Sequence, residues 1–162
     1  MIMNKQIKAL AFGFDDSDTQ VLREQFAGGS GIFLVDSLPD VADAAGVRRV
    51  LDAFKATLPD MVLASLIREP EHKMSAIREI CSITDELRPP YFITAQYTDE
   101  TDLKDDLYAA LLMKLGDHFH RYGKTQDIME IVSHANMMVD FVHDKREREA
   151  RGVYWKCDTS AP

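Results

Sequence analysis

The sequence has few of the features that mark secreted or membrane proteins. It contains only two cysteines, Cys81 and Cys157, without metal-ligand spacing, which is typical of a chain whose thiols stay reduced. No apolar run is long enough to span a bilayer or to form the core of a signal peptide. We therefore predict a cytoplasmic protein that folds without disulfides.

An excess of positive charge is also lacking. Lysine and arginine total 19 against 27 aspartates and glutamates, and the formal net charge of -8 repels phosphate backbones and anionic membranes. The one basic segment, residues 145–151, is interleaved with glutamates and is typical of a solvated helix face. We expect neither a nucleic-acid nor a membrane partner.

Glycine and proline are too scarce for a low-complexity or largely disordered chain. The sequence of 162 residues is 46% hydrophobic and 28% charged, which is ordinary for one globular domain. We predict a single domain over residues 1–151 and a partly disordered C-terminal tail over residues 152–162.

Short apolar segments alternate with stretches of helical periodicity along the whole chain. The predicted strands are residues 7–14, 31–36, 60–66, 91–95 and, more weakly, 117–122. Amphipathic helices follow each strand; the third runs from Ser75 to Leu87, the fourth opens near Thr98, and the last is one long helix over 125–151. The alternation predicts an α/β fold, a three-layer, doubly wound, five-stranded parallel sheet with an extended C-terminal helix. The segment 60–66 is apolar on both faces and is the predicted central strand.

Polar residues follow several of these strands at the edge where such sheets bind ligands. They are Asp15 and Asp16 after the first strand, Ser65 after the third, Thr94 after the fourth and Lys124 after the fifth. Each also has a structural interpretation. The two aspartates suit a turn and helix cap, with Ser17 and Asp18 also available as caps, and Ser65 and Thr94 suit buried hydroxyls. Lys124 suits a salt bridge to one of the aspartates.

In their order and placement these segments resemble response-regulator receiver domains, the phosphoacceptor modules of two-component signalling. The resemblance covers roughly residues 7–142 and rests on four motifs: Phe14-Asp15-Asp16-Ser17, Pro59-Asp60-Met61-Val62-Leu63, Ile93-Thr94-Ala95 and Lys124-Thr125. It implies a flavodoxin-like receiver fold whose cleft contains Asp15, Asp16, Thr94 and Lys124.

The chain departs from the receiver pattern at its most important position. Ser65 stands where the resemblance places the phosphorylated aspartate, and a hydroxyl cannot form the acyl phosphate. The implied magnesium site keeps only Asp15 and Asp16, which would bind the ion weakly because Mg²⁺ needs several oxygen ligands in near-octahedral geometry. We therefore expect no obligatory cofactor.

Two functions from different classes follow from these residues. The first is an atypical, phosphorylation-independent receiver, a pseudo-receiver that is not an enzyme and that acts by protein–protein interaction. A partner or a homodimer would use the face of the predicted fourth helix, fifth strand and last helix, where Met129, Met137 and Met138 form a stripe suited to packing. The alternative is a small α/β hydrolase or phosphate-ligand-binding domain using Ser65 with Asp15 and Asp16. It lacks a glycine-rich phosphate loop and a Gly-x-Ser-x-Gly elbow.

Overall fold

The computed structural model describes residues 6–29, 31–39, 41–66, 70–83, 92–96, 119–121 and 128–151. Its strands are β1 (Ile7–Phe12), β2 (Ile32–Leu38), β3 (Met61–Ser65), β4 (Phe92–Gln96) and β5 (Phe119–Arg121). Its helices are α1 (Asp16–Ala27), α2 (Ala44–Thr57), α3 (Pro70–Ile83), α4 (Ile128–Met137) and α5 (Val139–Ala150). Within these ranges no helix is long and apolar enough to cross a membrane. The predicted fourth helix after Thr98 and the predicted tail, 152–162, lie outside the described residues.

The strands form one parallel sheet in the order β2-β1-β3-β4-β5. This confirms the doubly wound α/β fold and puts β3 at the centre of the sheet, where all five of its residues are buried. The apolar residues on both faces of β3 explain this position, because a central strand is covered by helices on both sides. The order of the strands reverses between β1 and β3.

Alternate residues of the strands point to opposite faces of the sheet and belong to two separate hydrophobic cores. On one face of the sheet, Leu10, Phe12, Val62 and Ala64 pack against side chains of α2 and α3. On the opposite face, α1, α4 and α5 cover the residues Ile7, Ala9, Ala11, Met61 and Leu63. We call these the α2–α3 face and the α1–α4 face.

Two helices begin earlier than the sequence pattern predicts. The cap of α1 is Asp15, not Ser17 or Asp18, and its carboxylate Oδ1 accepts a 2.8 Å hydrogen bond from the Asp18 backbone N–H. Helix α3 begins at Pro70, five residues before the predicted Ser75. Proline is well placed there, because the first residue of a helix needs no N–H donor and its fixed φ suits the helical backbone.

The prediction of one continuous C-terminal helix over 125–151 is wrong. The structure has two helices, α4 and α5, which meet at Met138, where ψ is 1°. The Met138 N–H is shared between the carbonyls of His134 and Ala135, at 3.2 and 3.1 Å, so the last turn of α4 is tightened. Val142 of α5 is fully buried in the core of the α1–α4 face.

Helix α5 is also bound to the amino edge of the sheet, where β1 and β3 begin. Arg146 Nη1 lies 3.7 Å from Asp60 Oδ2 and donates a 3.1 Å hydrogen bond to the Gln6 carbonyl. Asp60 is 4% exposed, and the same Oδ2 accepts the Lys8 backbone N–H at 2.9 Å. The segment 145–151, predicted to be a solvated face, therefore contributes one arginine to the packing of the sheet.

Candidate functional site

The candidate site lies at the carboxyl edge of the sheet, between the ends of β1 and β3. Ser65 is the last residue of β3, is 5% exposed and pairs in register with Gln96 of β4. On its other side, Phe12 is the last residue of β1 and pairs with Ala64. Gly13 therefore leaves β1 directly beside Ser65, at the point where the strand order reverses and open α/β sheets bind their ligands.

Gly13 allows the two chain segments to come unusually close. Its φ is +89°, and a Cβ added to it would lie 2.5 Å from the Ser65 carbonyl oxygen. Any side chain at this position would meet both an unfavourable backbone conformation and the backbone of β3. The contact fixes the β1–α1 connection against the end of the central strand.

A lysine that the sequence analysis did not single out lies in the same place. Lys73, in the first turns of α3, is 4% exposed, and its Cδ and Cε lie 3.2 Å from the position a Gly13 Cβ would take. The sequence carried a signal for it: Lys73, Ile77 and Ile80 share the spacing of one helix face, and both isoleucines are fully buried. A lysine on an apolar stripe is rarely buried without a function or a charged neighbour.

The two aspartates after β1 differ in their surroundings. Asp15 is partly buried and its carboxylate caps α1, whereas Asp16 is exposed in the first helical turn. Asp15 is therefore a helix cap, as its structural interpretation predicted. Among the described residues no group of three or more His, Cys, Asp or Glu side chains is arranged to hold a metal ion. With a neutral Ser65 and Lys73 beside Gly13, the residues present do not fit the magnesium site of a receiver.

Thr94 lies deeper than the predicted cleft. It pairs with Leu63, two residues before Ser65, and its side chain is fully buried on the face of the sheet that α4 covers. The Oγ1 atom of Thr94 is 3.3 Å from Nδ1 of His134 in α4. Strand β4 continues to Gln96, so the structure places Gln96, not Thr94, level with Ser65.

The fifth candidate, Lys124, lies outside the described residues. The structure therefore brings together Gly13, Ser65 and Lys73 at the carboxyl edge, with Asp15 and Asp16 two and three residues beyond Gly13.

The strand order and the parallel pairing define a doubly wound, flavodoxin-like α/β fold, and solved receiver domains share this fold. The chain is similar to a LuxR-family two-component response regulator from Aurantimonas sp. SI85-9A1, with a TM-score of 0.56 and 14% identity over 83% of this chain and 86% of that one. It is also similar to the signal receiver domain of the response regulator NarL from Mycobacterium tuberculosis, with a TM-score of 0.53 and 13% identity over 82% of this chain and 98% of that one.

At these identities the likeness is one of fold. No protein-family model and no curated protein sequence matches the chain. The comparison confirms the receiver-like fold that the sequence resemblance implied, and these structural neighbours are signalling modules.

Proposed function

We propose that this protein is an atypical receiver-like signalling module that acts by protein–protein interaction and does not depend on aspartyl phosphorylation. The observation that carries the proposal is Ser65, a buried hydroxyl at the end of the central strand, in the position where a receiver has its phosphoacceptor. Signalling by binding needs no catalytic group in the cleft, and a cytoplasmic location suits a module of this kind.

The surroundings of Ser65 support a structural hydroxyl more than a reactive one. A nucleophilic serine needs access to substrate and a base within hydrogen-bond reach. Ser65 is 5% exposed, so its hydroxyl has little access to a substrate. This burial favours the binding module over the hydrolase.

The binding surface we propose includes the outer side of α4. Met129 and Met137 of this helix are 42% and 75% exposed, although methionine usually packs in cores or against partners. The bond between Thr94 and His134 links β4 to the same helix. A partner or a second copy of the chain that binds α4 would therefore act on an element in direct contact with the sheet.

Phosphorylation chemistry tests this function directly. The protein is incubated with acetyl phosphate and Mg²⁺, or with beryllofluoride and Mg²⁺, and its intact mass and light scattering are recorded. We expect no added phosphate and no change in scattering. A stoichiometric phosphate on the wild-type chain would contradict phosphorylation independence. The matched variant Ser65→Ala should behave as the wild type does, whereas loss of an esterase or phosphatase activity in Ser65→Ala would establish the hydrolase instead.

A further inference from the structure

Lys73 is the one lysine that the structure buries at the carboxyl edge within the described residues. It belongs to α3 on the α2–α3 face, and its stem extends over Gly13 to the gap between the ends of β1 and β3. The Nζ atom is one bond beyond Cε, so the ammonium group lies close to Gly13, the first residue of the β1–α1 connection. This is the connection that carries Asp15 and Asp16.

A buried ammonium group needs compensating negative charge or several hydrogen bonds, because its desolvation is otherwise too costly. The acidic residues that follow Gly13 in the sequence supply negative charge at this edge, and Ser65 contributes none. A lysine close to Gly13 lowers the net negative charge that these two carboxylates give this edge. A divalent cation entering the same space would be repelled by the ammonium group.

From this juxtaposition we infer that Lys73 is a positioning residue that takes the electrostatic place of a divalent cation in the cleft, so that the site is held in one state without metal. The inference rests on the proposed function, since a receiver cleft that is not phosphorylated has no need to bind and release Mg²⁺. Gly13 is part of the arrangement, because any Cβ there would displace the Lys73 stem.

The test is Mg²⁺ binding, measured by calorimetry and by the shift in thermal midpoint that Mg²⁺ produces. The variants are Lys73→Met, which keeps an unbranched stem and removes the charge, and Lys73→Arg, which keeps the charge. Lys55→Met is the control, because Lys55 is an exposed lysine of α2. We expect Lys73→Met to bind Mg²⁺ at least about tenfold more tightly than the wild type, while Lys73→Arg and Lys55→Met show no gain.

A second pair of variants protects the test against a folding defect in Lys73→Met. Ser65→Asp restores a third carboxylate, which Lys73 should neutralise, so this variant alone should gain little Mg²⁺ affinity. The double variant Ser65→Asp with Lys73→Met should be less stable than Ser65→Asp without metal and should recover when Mg²⁺ is added. Equal Mg²⁺ affinity with and without Lys73, in both serine and aspartate backgrounds, would overturn the inference.

The two proposals fail by different readouts. The proposed function fails if the wild-type chain acquires phosphate, which intact mass detects whatever the Mg²⁺ affinity is. The inference about Lys73 fails if removing its charge leaves Mg²⁺ binding unchanged, which calorimetry detects in a chain that never acquires phosphate.

Discussion

Gly13 is the residue on which the geometry of the carboxyl edge depends, and a matched glycine allows its role to be measured. Gly13 and Gly29 have nearly the same φ, +89° and +88°, but no heavy atom lies within 4 Å of a Cβ built on Gly29. Gly29→Ala should therefore lose about 1–2 kcal/mol of unfolding free energy from backbone strain alone. Gly13→Ala adds the clash with the Ser65 carbonyl and should cost about 1–3 kcal/mol more.

Urea unfolding of the two alanine variants checks this prediction, because both carry the same chemical change. If Gly13→Ala is no less stable than Gly29→Ala, the close approach of β1 and β3 is not fixed by this glycine.

The residues of the site differ in how far the sequence predicts them. Ser65 was identified from one motif position, but the contact of Gly13 with it depends on a φ value that a lone Phe-Gly-Phe segment does not indicate.

The contact between β4 and α4 consists of a polar pair in an apolar setting. The Thr94 hydroxyl is fully buried and forms a hydrogen bond with His134 Nδ1, in which the histidine tautomer decides the donor. Replacing His134 by Leu removes the hydrogen-bond partner of this buried hydroxyl and should lower the unfolding free energy by about 1–3 kcal/mol. The double variant His134→Leu with Thr94→Val removes both polar partners and should recover part of the loss. Equal stability of the single and double variants would show that the loss of His134 does not leave the Thr94 hydroxyl at a cost.

Helix α5 contacts the buried carboxylate of Asp60 through Arg146, and the loss of this contact should be measurable. Arg146→Met leaves the buried carboxylate of Asp60 without its guanidinium neighbour and should cost about 1–2 kcal/mol. Arg148→Met is the control: Arg148 pairs with Asp144 one helical turn away, both side chains are well exposed, and the loss should stay below about 0.5 kcal/mol.

Thermal or urea unfolding of the two methionine variants distinguishes these cases, and raising the salt concentration should weaken the Arg148 pair more than the Arg146 contact. If the two variants lose the same stability, Arg146 is a surface residue, as the sequence pattern predicted.

The boundary between α4 and α5 could not be predicted from the sequence. No glycine or proline marks the interruption at Met138, and the apolar spacing continues through it, so the interruption is evident only from the backbone at Met138.

At the scale of the whole molecule, the apolar patterning was sufficient for the architecture. Segments with apolar residues on both faces can lie only inside a covered sheet, and this made β3 central before any contact was known. The details of the site needed tertiary information. The pairing of Ser65 with Gln96 depends on strand register, and the burial of Lys73 depends on where α3 crosses the edge of the sheet. Local spacing does not encode the register, and the spacing of Lys73 with Ile77 and Ile80 does not indicate which part of the sheet that face of α3 covers.

Among the described residues, large apolar side chains are exposed on both α4 and β2, which allows the proposed interface to be tested against a matched control. Met137 at the end of α4 is 75% exposed, and Phe33 of the edge strand β2 is 51% exposed. If the chain associates with itself through α4, Met137→Glu places a charge in the contact and should weaken self-association at least about tenfold in sedimentation or light scattering across a concentration series. Phe33→Glu should leave it unchanged, and because both sites are exposed, neither variant should change the unfolding free energy by more than about 0.5 kcal/mol. Weakened association in Phe33→Glu alone would move the interface to β2, and a wild-type chain that stays monomeric would leave a different protein as the partner of α4.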